Sequence, residues 1–307
     1  MNKNHGSAEV AVCTEKQISD FALLAAMGIT NILRRKPAPR EEIQKYIESS
    51  RKIEAHFSSR LPFGNEEKAK KVISLFADQQ VESAVEYHPS HRFLRPDEEI
   101  DLLDRNFPEL KLDKEGGKKH LADLPVGPEW AKGVGVFVKR EKFGVNAPDA
   151  LWLVGDKIAR REGAKNGKFT NYLPKKPEEF LLDRKSEAAI KKLSAFYSGD
   201  FFFAPIQCGR KNRGKSVDLS RDICEPEEFL LPTLEGAQII LLHEHLIAEG
   251  EYLRMDCGGD CFGGSDRFAN SPYFSRDDEE LYLDAVWRGA RDPGFGAASG
   301  SARAVSL

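Results

Sequence analysis

Gly209-Arg210-Lys211-Asn212-Arg213-Gly214-Lys215-Ser216 is the segment whose residue types and spacing come nearest to a defined chemistry. It satisfies G-x-x-x-x-G-K-S, in which backbone N–H groups cradle phosphates, a lysine neutralises them and a serine holds magnesium. On that reading Gly209 and Gly214 free the backbone, Lys215 meets the phosphate and Ser216 meets the metal. Three features oppose it. Arg210, Lys211, Asn212 and Arg213 are bulky where close backbone approach favours small side chains. The next segment, Val217 to Glu225, meets Pro226 after nine residues and leaves room for only a short helix. Just 91 residues follow Ser216, too few to supply the downstream parallel strands with ease. The expectation is a basic strand-to-loop turn without magnesium-dependent nucleotide binding, with a phosphate- or nucleotide-binding loop as the alternative.

A second constellation could hold a metal. His243-Glu244-His245 precedes Cys257-Gly-Gly-Asp260-Cys261, and imidazoles and thiolates are the ligands zinc prefers. His243 and His245 diverge on a helix, whereas His245 and Glu249, four apart, share a face. The candidate ligand set is therefore His245, Glu249, Cys257 and Cys261, and the chemistry a metal-dependent hydrolysis. The residue order is similar to that of zinc deaminases. It departs from their H-x-E and P-C-x-x-C patterns, with His245 where the catalytic glutamate belongs and three residues between the cysteines.

Weaker groups read as structure. His88-Pro89-Ser90-His91 is first a turn with exposed imidazoles. The acidic Asp256, Asp260, Asp266 and Asp277 to Glu280 lack the spacing of a calcium loop. G-x-S-x-G, H-E-x-x-H and G-x-G-x-x-G are absent, and Gly133-Val-Gly135 meets Val138 where a third glycine belongs. No pattern assigns an enzyme class or a cofactor.

The elements that must position these residues change character along the chain. Phe21 to Leu33, Pro39 to Phe57, Asn65 to Val85 and Pro96 to Phe107 carry apolar residues at helical spacing. Between residues 113 and 133 glycines, prolines and charges mark a linker or long loop. Beyond it, Val134–Val138, Ala150–Val154, Phe201–Gln207, Tyr252–Asp256 and Leu281–Trp287 read as strands, with helices at Pro177–Phe196 and Leu234–Ala248. Strands interspersed with few helices predict an α+β fold: a helical N-terminal part, then a mixed or antiparallel sheet. The organisation expected is a helical region 1–112, a linker 113–133 and an α+β domain 134–307. The Gly/Ala/Ser-rich tail from Gly294 is expected to be partly frayed.

Composition bounds the class. With 40% hydrophobic and 31% charged residues in 307, the chain is globular rather than disordered. Five sparse cysteines favour a reducing compartment, and no apolar run reaches the ~20 residues of a membrane span, so the expected location is the cytoplasm. The net charge of −3 conceals an imbalance: −2 over residues 1–130, +10 over 131–221 and −11 over 222–307. Aromatics do not interleave the basic stretch, so nothing signals sequence-specific nucleic-acid binding. The reading is a binding or interaction module whose basic central segment meets a protein partner or an anionic ligand.

Overall fold

A computed structural model describes residues 79–87, 91–163, 168–243, 246–247, 253–263, 268–277 and 280–303, all within the compact unit Gln79–Leu307. The helices expected before residue 79 lie outside the described residues. The one expected from Asn65 does not continue through Ala84 and Val85, because residues 79–87 carry no helix and Gln80 bridges Lys215.

The described residues form an α+β fold with six helices and ten strands. The helices are α1 (Pro96–Asn106), α2 (Lys114–Lys119), α3 (Ala147–Gly163), α4 (Arg184–Phe196), α5 (Val217–Asp222) and α6 (Thr233–Leu242). The strands are β1 (Gly133–Val138), β2 (Lys168–Asn171), β3 (Phe180–Leu182), β4 (Phe201–Cys208) and β5 (Glu228–Leu230). They continue as β6 (Arg254–Asp256), β7 (Asp260–Phe262), β8 (Asn270–Asp277), β9 (Glu280–Trp287) and β10 (Phe295–Ser301).

The sheet is mixed, with the path β1-β4-β10-β6-β8-β7-β3, and β9 continues from β8 to β2. Only β10–β6 and β2–β9 are parallel. Strand β10 divides its pairing. Phe295–Ala297 lie along β6, while Ala298–Gly300 lie along β4 and Ser299–Ser301 along β5. Residues Phe295–Ser301 of the Gly/Ala/Ser tail are therefore the centre of the sheet rather than loose chain. Their small side chains let neighbouring backbone come close: a Cβ on Gly296 would lie 2.2 Å from the carbonyl oxygen of Gly209.

Strand β4 is buried on both faces, which explains its nearly continuous apolar run; Phe201, Phe202 and Phe203 are all fully buried. Phe137 of β1 stacks on Phe202 at 5.0 Å between ring centroids. The expected linker 113–133 holds α2, capped by Asp113, whose side chain accepts the Gly116 N–H. Gly117 packs under the Phe201 ring, and Ile100 and Leu103 of α1, with Phe107 just after it, share one core with β1 and β4. Ala150–Val154 is a correction: it lies inside α3. Ala150, Leu151, Val154 and Ile158 are buried at helical spacing, and Asn146 caps the helix by accepting the Asp149 N–H. Likewise the stretch 177–182 is a 3-10 turn followed by β3, and α6 stops at Leu242 rather than Ala248.

Strand β1 ends the sheet, yet its outer edge is closed. The Val136 N–H donates to Oε2 of Glu99 on α1 at 2.7 Å, and the Val138 N–H donates to Oε1 of Gln238 on α6 at 2.8 Å. Glu99 and Gln238 are fully buried. Glu99 turns its other oxygen to Nε2 of buried His243, 3.0 Å away. Burial raises the Glu99 carboxyl above its ordinary range, while the His243 and Val136 contacts oppose the rise. Glu99→Ala leaves the Val136 N–H and His243 without this acceptor. The expected loss in urea denaturation is on the order of 3 kcal/mol, and Glu99→Gln, which keeps one acceptor, should lose less.

Candidate functional site

The 209–216 segment leaves β4, makes a 3-10 turn at Arg210–Asn212 and enters α5. Gly209 and Gly214 have φ of 106° and 72°, values that suit glycine. The backbone thus begins the curl of a phosphate loop, but six of its eight N–H donors are already engaged. The Gly209 and Lys211 N–H groups converge on one acceptor, Oε1 of Gln207, at 2.7 and 3.2 Å. Asn212 donates to Gly209 O, Gly214 to Phe295 O, Lys215 to Asn212 O and Ser216 to Gln79 O. The place of a phosphate oxygen is taken by a side-chain amide of the chain itself.

Ser216 is equally committed. It is buried, its Oγ caps α5 by accepting the Leu219 N–H at 3.0 Å, and its hydroxyl donates to Gln79 Oε1 at 2.9 Å. Gln207 is held from behind, its Nε2 donating to Ala297 O and Ser299 Oγ at 2.8 and 2.9 Å. Ser299 in turn donates to Glu228 Oε1 at 2.7 Å, and Glu228 Oε2 receives Lys211 Nζ. The network is buried and joins β4, β5 and β10 to the loop.

With its backbone turned inward, the loop presents side chains. Arg210, Lys211, Arg213 and Lys215 line one wall of a groove of about 530 Å³. Residues Gln80 to Ser83 form another wall, and Trp130 and Lys132, just ahead of β1, complete it. Lys211 Nζ lies 4.7 Å from the Trp130 ring centroid, while the indole N–H donates to Glu225 Oε1 at 3.1 Å. Glu86 is shared by Arg210 and Arg213.

Lys215 is different. It is half-buried, its Nζ donates to the Lys211 carbonyl at 2.9 Å, and among the described residues no carboxylate lies within ion-pair distance of it. Burial lowers its proton affinity, and the charges of Lys211 and Arg213 lower it further. A cation in that position lacks an anion.

No protein-family model, curated protein or solved structure matches this chain.

The four candidate metal ligands divide. His245 and Glu249 lie outside the described residues. Cys257 is fully buried against Gly236 of α6, and burial pushes its thiol far above the usual range. Cys261 on β7 accepts a hydrogen bond from Arg288 Nη1 at 3.3 Å. His243 is not on the surface of a helix but packs against Glu99 in the core. Among the described residues no three His, Cys, Asp or Glu side chains converge as a metal site. His91, expected to be exposed, packs edge-on against Phe93 and His243, with centroids 4.8 and 5.7 Å away.

Sequence reasoning missed Gln207, Trp130 and Glu228. A lone amide in the apolar run FFFAPIQC was the available signal for the first, since a buried amide must find partners. Gln207→Leu removes the acceptor of two loop N–H groups. It should destabilise the loop locally by about 2 kcal/mol, raising amide exchange over residues 209–215 by about thirtyfold.

Proposed function

We propose that this protein is a binding module for a small anionic ligand, a phosphate or phosphate ester, held by side chains in the groove at residues 210–215. The observation that carries the reading is Lys215, partly desolvated beside two other cations and, among the described residues, with no carboxylate at ion-pair distance. An anion seated there regains the Coulomb energy that like charges now cost, in a setting less screened than open surface. Lys132 and the guanidinium of Arg213 stand on the same groove. Selectivity for a charged head group rather than a whole nucleotide is supported by the committed backbone: six N–H groups of the loop are spent within the chain, and the Ser216 hydroxyl is already engaged by Leu219 and Gln79.

The basic central segment is thus read as a site for one or two charges rather than a track for a polymer. Glu86, Glu225 and Glu228 already answer Arg210, Arg213 and Lys211. A cytoplasmic setting accords with the free thiols of Cys208, Cys224, Cys257 and Cys261. Among the described residues no helix is long and apolar enough to cross a membrane.

Calorimetric titration with inorganic phosphate, pyrophosphate and ATP tests the proposal, each with magnesium and with EDTA. Binding should be indifferent to magnesium and to the nucleobase, and should weaken as sodium chloride rises. Lys215→Met should reduce affinity about tenfold or more, the worth of a charge-assisted hydrogen bond. Magnesium-dependent ATP binding, or phosphate binding untouched by Lys215→Met, would overturn it.

A further inference from the structure

A second cavity, separate from the basic groove, opens where α6 begins. It has a volume of about 210 Å³ and apolar walls from Leu151 of α3, Phe180 and Leu182 of β3, and Leu234. Its polar end is built from Arg140, Thr233 and Asp260. Arg140 follows β1 and grips the fully buried carboxylate of Glu235 with both arms, Nε to Oε1 at 2.8 Å and Nη2 to Oε2 at 2.6 Å. That fork closes the charge of Arg140 on Glu235.

Asp260 is thereby left over. It is 8% exposed, and its Oδ2 accepts the Thr233 N–H at 2.6 Å. Among the described residues no cation lies within ion-pair distance of Asp260. Thr233 is 1% exposed, and its hydroxyl faces the same carboxylate without completing a well-formed hydrogen bond. An apolar cavity therefore ends in a buried carboxylate with no cation at ion-pair distance among the described residues, eased by Thr233 and by the more distant charge of Arg140. Such a carboxylate is costly in a desolvated site unless a further donor meets it.

We propose that this cavity binds a small primary amine carried on an apolar body, its ammonium donating to Asp260 and Thr233. The ligand class follows from charge and size. An ammonium brings the positive charge that Arg140 spends on Glu235, and its three N–H donors suit acceptors that converge. An anionic head group would meet Asp260, whose proton affinity burial already raises. As to size, an apolar cavity of about 150 Å³ takes benzene, so this one accommodates a single ring with a short chain.

The test uses the full chain and three probes of one shape: 2-phenylethylamine, 2-phenylethanol and phenylacetate, followed by calorimetry and thermal shift. The amine should bind saturably and raise Tm, with the alcohol at least tenfold weaker and the acid weaker still. Asp260→Asn, which keeps an acceptor for the Thr233 N–H, should bring the amine down to the level of the alcohol. Leu151→Trp fills the apolar end without touching the polar one and should abolish binding of both, while leaving phosphate binding near Lys215 unchanged. Absence of saturable amine binding, an alcohol or acid that matches the amine, or amine binding indifferent to Leu151→Trp would each overturn the proposal. Because the probe comparison is made on the unaltered protein, it decides even if Asp260→Asn fails to fold.

Discussion

One buried amide organises the part of the molecule where a ligand would be met. Gln207 stands at the end of β4 with no exposure to water, and its two polar atoms reach four groups on two chain segments. Its nitrogen fixes β10 beside β4 and its oxygen fixes the start of the following loop. Since a buried amide left without partners costs several kcal/mol, strand, loop and β10 hold their places together. Gly209 and Gly296 make this possible by bringing two backbones closer than any side chain would permit.

That arrangement separates two uses of charge. On the outer face of the loop, cations crowd and Lys215 has no carboxylate at ion-pair distance among the described residues, while water still reaches the groove. Beneath the start of α6 the balance is different: Arg140 is forked onto Glu235, and Asp260 has no cation at ion-pair distance among the described residues. On the two proposals, one place would take an anion and the other a cation. They draw on different residues and different strands, so each is open to trial without disturbing the other.

Much of the framework was legible in the sequence. GVGVFV, FFFAPIQC and ELYLDAVW are the strands their β-branched and aromatic content predicts, and the α1 pattern with proline at its first position was equally plain. Ala150–Val154 misled because five apolar residues fit a buried strand as well as a helix, and only the longer window to Ile158 separates the two periods. Gly296 to Ser301 misled for a different reason. Small residues are ordinarily a sign of loose chain, whereas here they are what lets β10 sit against three neighbours. The G-x-x-x-x-G-K-S pattern marked the glycines that turn out to be left-handed but not the destination of the N–H groups. That depends on Gln207, Gln79 and Phe295, the last two far from the loop in sequence. Long-range partners of this kind leave no local trace.

The closed edge of β1 bears on how copies of this protein meet in a crowded solution. A terminal strand normally offers a row of free backbone groups to which another chain can add, the first step toward ribbons and insoluble assemblies. Here Glu99 and Gln238 occupy the Val136 and Val138 N–H groups from helices laid across them. An incoming strand would have to displace two buried side chains before forming its own bonds. At these two positions the phenylalanine-rich side of the sheet thus offers an incoming strand helix side chains in place of free N–H groups.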